Sequence, residues 1–293
     1  MMQGWLIVNG YLKSEKFEEI YRWLIDAAEK EGIKLRKISN DQLDSILPAN
    51  PQETDWTSRP DFVLFWDKDV KLARLLEREG FQVFNSAEGI EACDDKALTF
   101  IKLKNKNIEM PKTFIAPMTF DKEYSDYTFV LQVQESLGYP MIIKENKGSF
   151  GEQVYLVENY YDAVEKIKSI GHDEFIMQEY IESSKGRDVR IHVVGNQIVT
   201  AMERRNDNDF RANVTNGGRM KKYIPTKEQA EMAVTVCREL GVDFAGVDIM
   251  FGKDDEPVLC EVNSNAHFKN IFDCTGVNVA EHIMKYIKGK ILV

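Results

Sequence analysis

Two apolar runs joined by a short turn, residues 246–251 and 258–263, constrain this chain more than any other part of it. Both read as β-strands, and the segment between them, rich in Gly, Asp and Pro, reads as the turn of a hairpin. A turn centred on Asp254-Asp255 leaves residues 248 and 261 equally far from that centre, and so opposite one another. Side chains alternate faces along a strand, so Glu261 and Asn263 point the same way, and Asp248 joins them across the pair. Two carboxylates directly opposed across strands repel. A divalent cation removes that repulsion, and carboxylates with an amide oxygen are hard ligands that suit Mg²⁺ or Mn²⁺ better than zinc. Mg²⁺ keeps water and shares its shell with phosphates, so a three-ligand protein site implies a nucleotide. An exposed hairpin carrying two unrelated acids fits the same local pattern.

Upstream the chain alternates strand and helix. Residues 5–8 form a short apolar run that ends at Asn9-Gly10. Phe17, Ile20, Tyr21, Leu24, Ile25 and Ala28 then recur at helical spacing, with Gly32 placed to stop the helix. Strands follow at 33–38, 62–66 and 81–84, with a helix over 71–79, which predicts a parallel sheet flanked by helices. A second unit starts near Cys93, where an Asp of Asp94-Asp95 can cap the next helix. Its strands are expected at 113–116, 141–145, 153–157 and 175–178, and its helices at 129–137 and 161–169. The remainder predicts strands at 188–194, 197–204, 244–251 and 258–263, and helices at 227–240 and 279–287. The expected fold class is α/β and α+β: a small α/β unit (1–92) followed by two α+β lobes (93–178 and 179–293) that enclose a cleft.

With 43% hydrophobic and 29% charged residues among 293, the chain has the composition of a globular enzyme. A net charge of −10 gives no broad footprint for nucleic acid, and no 18-residue apolar span or signal-like start predicts a membrane partner. The widely spaced Cys93, Cys237, Cys260 and Cys274 read as buried, reduced thiols, which places the protein in the cytoplasm. Basic residues still gather locally at Arg204, Arg205 and Arg211. That cluster reads either as a solvated face or as the contact of an anionic small ligand.

Residues 141–151 form an apolar strand running into a Gly-containing loop with Gly148, Ser149 and Gly151. Glycines let backbone N–H groups approach an anion, although a plain hairpin turn explains them as well; no Walker A or G-x-G-x-x-G pattern occurs. Lys144 says more, because an ammonium inside an apolar strand has to face a cleft and an anion. Gln178, Glu179, Tyr180 and Ile181 end another apolar strand, where backbone groups and a carboxylate can read an adenine edge and ribose. Asp188, Arg190 and His192 alternate and share a face, whether solvated or facing a ligand. Arg211 and Asn213 are candidates for the γ-phosphate.

In this order the segments resemble the ATP-grasp superfamily and, within it, the RimK-like glutamate ligases. The resembling motifs are Asp95-Lys96, residues 140–144 with the following loop, Gln178-Glu179-Tyr180-Ile181, and Gly186-Arg187-Asp188-Val189-Arg190. Glu203-Arg204-Arg205, Asp209-Phe210-Arg211-Ala212-Asn213, Gly217-Gly218, the 245–249 strand and Glu261-Val262-Asn263 complete them. They span residues 93–290, with the first unit matching a pre-ATP-grasp domain. The resemblance implies Lys96 and Lys144 on ATP phosphates, Glu179 and Tyr180 at the adenine hinge, and Asp188 near the ribose. It implies Arg204 and Arg211 as catalytic residues, Arg211 and Asn213 toward the transferring group, and two Mg²⁺ (or Mn²⁺) ions on Asp248, Glu261 and Asn263. The implied activity is an ATP-dependent carboxylate–amine ligation through an acyl phosphate, on an amino acid, peptide or protein tail. The family's frequent oligomers lean toward a homo-oligomer.

One departure stands out. RimK-like chains usually continue Asn-x-Ser-Pro-Gly, whereas this one reads Asn263-Ser264-Asn265-Ala266-His267-Phe268. The segment borders the acceptor site in the family, so the substrates do not carry over, and His267 is either a substrate contact or a packing residue. Alternatives are a dipeptide ligase resembling D-alanine–D-alanine ligase or glutathione synthetase, a nucleotide-binding regulatory module, and a kinase that stops at phosphorylation.

Overall fold

The structure is a computed structural model that describes residues 1–42, 59–148, 151–213 and 217–292. Its first sheet is parallel throughout, with strands β1 (Met2–Val8), β2 (Ile33–Ser39), β3 (Phe62–Trp66) and β4 (Val83–Phe84) in the order β2-β1-β3-β4. Helix α1 (Glu15–Lys30) buries Ile20, Tyr21, Leu24, Ala27 and Ala28, the stripe its 3.6-residue spacing predicts, and Gly32 follows it in the left-handed region at φ 72°. Helix α2 (Val70–Arg78) begins at Asp69, whose carboxylate accepts from Leu72 N.

Two helices come next, α3 (Ala87–Asp94) and α4 (Lys96–Leu103). Asp95 caps α4, accepting from Ala97 N at 2.9 Å and Leu98 N at 3.0 Å. The second sheet is antiparallel, with β5 (Thr113–Ile115), β6 (Met141–Glu145), β7 (Val154–Val157) and β8 (Phe175–Glu179) in the order β5-β8-β6-β7. Helices α5 (Thr128–Leu137) and α6 (Tyr160–Ile170) share its core through Val130, Val133, Ala163 and Ile167.

The third sheet is also antiparallel and runs β11-β10-β9-β12-β13, from β9 (Arg187–Val194), β10 (Gln197–Arg205), β11 (Arg219–Lys222), β12 (Phe244–Phe251) and β13 (Pro257–Asn263). Val189, Ile191 and Val193 of β9 pack in one core with Ala233, Val236 and Leu240 of α7 (Lys227–Leu240). Strand alternation therefore turns Asp188, Arg190 and His192 to the other face. Helices α8 (Lys269–Thr275) and α9 (Val279–Ile291) close the chain. Among the described residues no helix is long and apolar enough to cross a membrane.

The sequence reading missed α3, β11 and α8. Strand β11 reads Arg-Met-Lys-Lys and lacks an apolar alternation, and α8 is a single short segment with one fully buried side chain, Ile271. Ala92, Cys93 and Leu103 also pack in the core of the third sheet, although sequence places residues 93–103 with the second lobe. The first and third sheets share a core as well. Trp66 stacks on Phe244 at 5.8 Å between centroids and meets Phe268 edge-on at 5.7 Å. Buried Asn85 clips the same junction, donating to Phe244 O and Ser264 O and accepting from Asp243 N and Phe244 N.

Phe268 is fully buried where the two sheets meet. Phe268→Ala is expected to cost about 3–5 kcal/mol by removing that ring and leaving a cavity. Urea unfolding checks this; a loss below about 1 kcal/mol would show that the junction does not hold the two sheets together.

Candidate active site

The hairpin pairs Asp248 with Glu261 and Gly246 with Asn263. The turn centre lies at residue 254, because Phe251 opposes Pro257 and Ile249 opposes Leu259. A regular ladder from that centre would set Asp248 against Cys260. A bulge between residues 248 and 249 shifts the register by one residue and brings Glu261 opposite instead. Bulges re-aim side chains in this way, often beside active sites. The turn carries Asp255 at φ 60° and closes with Gly252 N donating to Glu256 O at 2.8 Å.

Behind this pair lies a buried ladder of charge. Arg204 donates to Asp188 through Nε at 2.7 Å and Nη2 at 2.6 Å, and its Nη2 lies 2.9 Å from Asp248 Oδ2. Arg190 donates to Asp248 through Nε at 2.6 Å and Nη2 at 2.5 Å. Strand pairing dictates this order, since Arg204 lies opposite Asp188 and Arg190 opposite Asp248. Burial pushes the Asp248 carboxyl up, and the Arg190 and Arg204 guanidiniums outweigh it, holding the group well below the usual carboxylate range. Arg204, expected from sequence as a catalytic residue, is 4% exposed and lies between two acids on the wall of the cleft. Asp188, expected beside a ribose, has both oxygens occupied by Arg204.

Glu261 lies 3.8 Å from Arg190 and accepts from Asn263 Nδ2 at 3.0 Å. Asp248, Glu261 and Asn263 thus form a hard oxygen set on the cleft face. No group of three His, Cys, Asp or Glu side chains suited to a metal occurs among the described residues. The donors fit a divalent cation that completes its shell with water and phosphate oxygens, and do not fit a thiolate or imidazole site.

Opposite stand the lysines. Lys96 begins α4, and its backbone N and Nζ both donate to Asn146 O. Burial lowers its pKa, Glu261 and Asp94 oppose the shift, and Lys144 and Lys68 add to it, so three ammonium groups and two carboxylates share this corner. Lys144 on β6 is buried, and among the described residues no acceptor lies within hydrogen-bonding distance of its ammonium. Gly151 sits at φ 75°, and an added Cβ there would press on Arg211 Cδ and Asn213 Nδ2, each at 3.4 Å. Arg211 Nη1 donates to Gly151 O at 2.6 Å, and Asp209 holds the same guanidinium at 2.8 Å. The loop after β6 is therefore tied across the cleft to the segment after β10. Ser149 lies outside the described residues.

The cleft has two adjoining chambers of about 710 and 760 Å³ including their open mouths, room for a nucleotide and a second ligand. Lys96, Gly148 and Asn263 line the first; Gly151, Glu179, Tyr180, Ile181, Asp188, Arg204, Arg211, Asn213 and Asp248 line the second; Lys144, Gln178 and Glu261 line both. Ile142, Val154 and Met250 give the second chamber apolar walls. Gln178 donates to Thr113 Oγ1 at 2.8 Å, and Glu179 accepts from Lys112 N at 3.2 Å. Sequence reasoning placed Arg190 on one face with Asp188 and His192 but gave no specific role to it or to Asp209. The Asp-x-Arg alternation of residues 188–190 beside a strand carrying Asp248 is the signal that could have found Arg190.

His267 Nε2 donates to Lys16 O at 3.1 Å, since a carbonyl can only accept, and the ring stands edge-on to Phe17. It packs the junction with the first sheet. Burial lowers its pKa to about 4, and the fully buried His192 is lowered to about 3. A histidine depressed from about 6.5 stabilises the fold above its unfolded pKa, and that stability is lost as pH falls through the folded value. Stability is therefore expected to fall from about pH 6.5 to about pH 4, with His267 accounting for a loss on the order of 3 kcal/mol. His267→Gln keeps an N–H donor and should flatten that slope in urea titrations across this range. An unchanged slope would contradict the assignment.

The model of the RimK-like ATP-grasp domain matches residues 93–287. The chain is 32% identical to the probable alpha-L-glutamate ligase of Legionella pneumophila over 220 residues, 74% of this chain and 70% of that one. It is 27% identical to human N-acetylaspartylglutamate synthase A over 300 residues, 97% of this chain and 75% of that protein. The D-alanine–D-alanine ligase of Bacillus anthracis shares the fold at a TM-score of 0.75 and 17% identity, over 100% of this chain and 98% of that one. A hairpin bearing two acids and an amide, two cleft lysines and a loop tied over the cleft are thus found within a matching family domain and fold. The chain belongs to the RimK-like ATP-grasp family and is an ATP-dependent carboxylate–amine ligase.

Proposed function

We propose that the chain joins the amino group of glutamate to the carboxylate of a small acidic molecule or a peptide. The carrying observation is the hairpin, which sets Asp248, Glu261 and Asn263 on the cleft face beside Lys96 and Lys144. The names of the Legionella and human relatives both contain glutamate, and this supports it as the amine.

In this reading a carboxylate oxygen attacks the γ-phosphorus of ATP and ADP leaves. The amine then attacks the acyl carbon, losing a proton, and inorganic phosphate leaves. Lys96 and Lys144 bind phosphate oxygens, with backbone amides of the loop at Gly148 and Gly151. Gln178, Glu179, Tyr180 and Ile181 border the adenine end, against Ile142, Val154 and Met250. Arg211, oriented by Asp209, and Asn213 face the transferring group. Arg204, itself held by Asp188, holds Asp248 in place from the wall of the second chamber. Mg²⁺ on Asp248, Glu261 and Asn263, two ions in this proposal, supplies charge neutralisation at the phosphates.

The test supplies ATP, magnesium and glutamate with an array of carboxylates, N-acylated amino acids and peptides, read by mass spectrometry. The expected outcome is one conjugate lighter by a water than its two components, formed with ADP. Lys144→Met is expected to lower turnover about 100-fold or more while leaving the fold intact. Conjugates that form with other amino acids and never with glutamate would contradict the amine assignment. Full turnover by Lys144→Met would contradict the phosphate site.

A further inference from the structure

Asp248 has to offer lone pairs to a cation, yet its oxygens already face two guanidiniums. A carboxylate has about four lone-pair positions. Arg190 takes one on each oxygen, at 2.6 and 2.5 Å, and Arg204 approaches Oδ2 at 2.9 Å. The Asp248 side chain is only 3% exposed, so water does not share it.

The two arginines are not equivalent. Arg204 is clamped on both sides, bidentate to Asp188 and in contact with Asp248. Arg190 is bidentate to Asp248 alone, its side chain is 15% exposed, and its other acid, Glu261, is 3.8 Å away. Arg190 is the one that can leave without stripping a second buried acid.

Charge explains why the metal is disfavoured there without nucleotide. Asp188, Asp248 and Glu261 against Arg190 and Arg204 leave the cluster with one negative charge. A divalent cation added with Arg190 still in place makes it one positive, beside a carboxylate, Asp248, that water barely reaches. Phosphate oxygens arriving with the metal offset that charge and offer the Arg190 guanidinium another anionic partner.

We propose that Arg190 is a positioning residue that stands in for the metal at Asp248, and that the divalent cation and Arg190 exchange there when nucleotide binds. The proposal rests on the reading of Asp248, Glu261 and Asn263 as the metal ligands. Its consequence is an order of assembly. Free magnesium is held weakly, metal and nucleotide strengthen one another, and by linkage the effect is reciprocal.

Mn²⁺ binding followed by electron paramagnetic resonance, with and without a non-hydrolysable ATP analogue, tests this apart from any turnover. The wild-type protein should bind Mn²⁺ weakly alone and at least about tenfold more tightly with the analogue. Arg190→Gln should bind Mn²⁺ alone about tenfold more tightly than wild type and lose much of the analogue's effect, with Arg190→Lys in between. Arg190→Gln binding Mn²⁺ alone no more tightly than wild type overturns the exchange. Asp248→Asn with undiminished Mn²⁺ binding overturns the ligand reading beneath it, so the two failures are distinguishable.

Should both Arg190 variants fail to fold, the wild-type protein still decides the matter. The Nε–H resonance of Arg190 should move on adding magnesium with the analogue and stay put with magnesium alone. A resonance unmoved by the pair overturns the proposal.

Discussion

The alternation Asp188–Arg204–Asp248–Arg190 across three neighbouring strands is the interaction on which the rest of the site depends. Isolated, any one of these charges would be costly to bury; together they satisfy each other with short, bidentate bonds. The ladder needs β10, β9 and β12 side by side, in registers that put Arg204 against Asp188 and Asp248 against Arg190. It also needs the opposite face of those strands to be apolar, which Val189, Ile191, Val247 and Ile249 provide. One face of the sheet builds a core and the other fixes charge. The bulge after Asp248 then presents Glu261 and Asn263 beside the ladder.

The first sheet contributes by holding the turn after the hairpin. An added Cβ on Gly246 would come within 2.6 Å of Ala266 Cβ, so the chain after Asn263 passes directly over the strand that carries Asp248. From there Asn265 Nδ2 donates to Asp67 O, His267 binds Lys16 O, and Phe268 enters the shared core beside Trp66. Besides Ser264 O, which accepts from Asn85, two side chains of the segment that departs from the usual Asn-x-Ser-Pro-Gly bond to the first unit. The side chains that replace the serine and glycine of that pattern make those bonds.

Much of this was legible in the sequence, for identifiable reasons. Strand spacing and the apolar stripe of α1 follow from periodicity, and periodicity gave nearly the observed bounds for β12, β13 and α7. Lys144 stood out because a cation in an apolar run needs an explanation, and it lines both chambers. The opposition of residues 248 and 261 also holds, but simple counting cannot see why. The turn centre lies half a residue earlier than supposed, and a bulge compensates. Which arginine meets which acid is a matter of register between strands distant in sequence. That is why Arg204 reads from sequence as a reactive group and proves to lie between two acids, and why Arg190 received no specific role.

The most direct measurement of the central claim follows oxygen. With the acceptor carboxylate labelled with ¹⁸O, turnover through an acyl phosphate must carry one labelled oxygen from that carboxylate into each inorganic phosphate released. Labelled phosphate formed in step with the amide is the predicted result. Amide formation with wholly unlabelled phosphate would contradict carboxylate activation by phosphoryl transfer in this cleft.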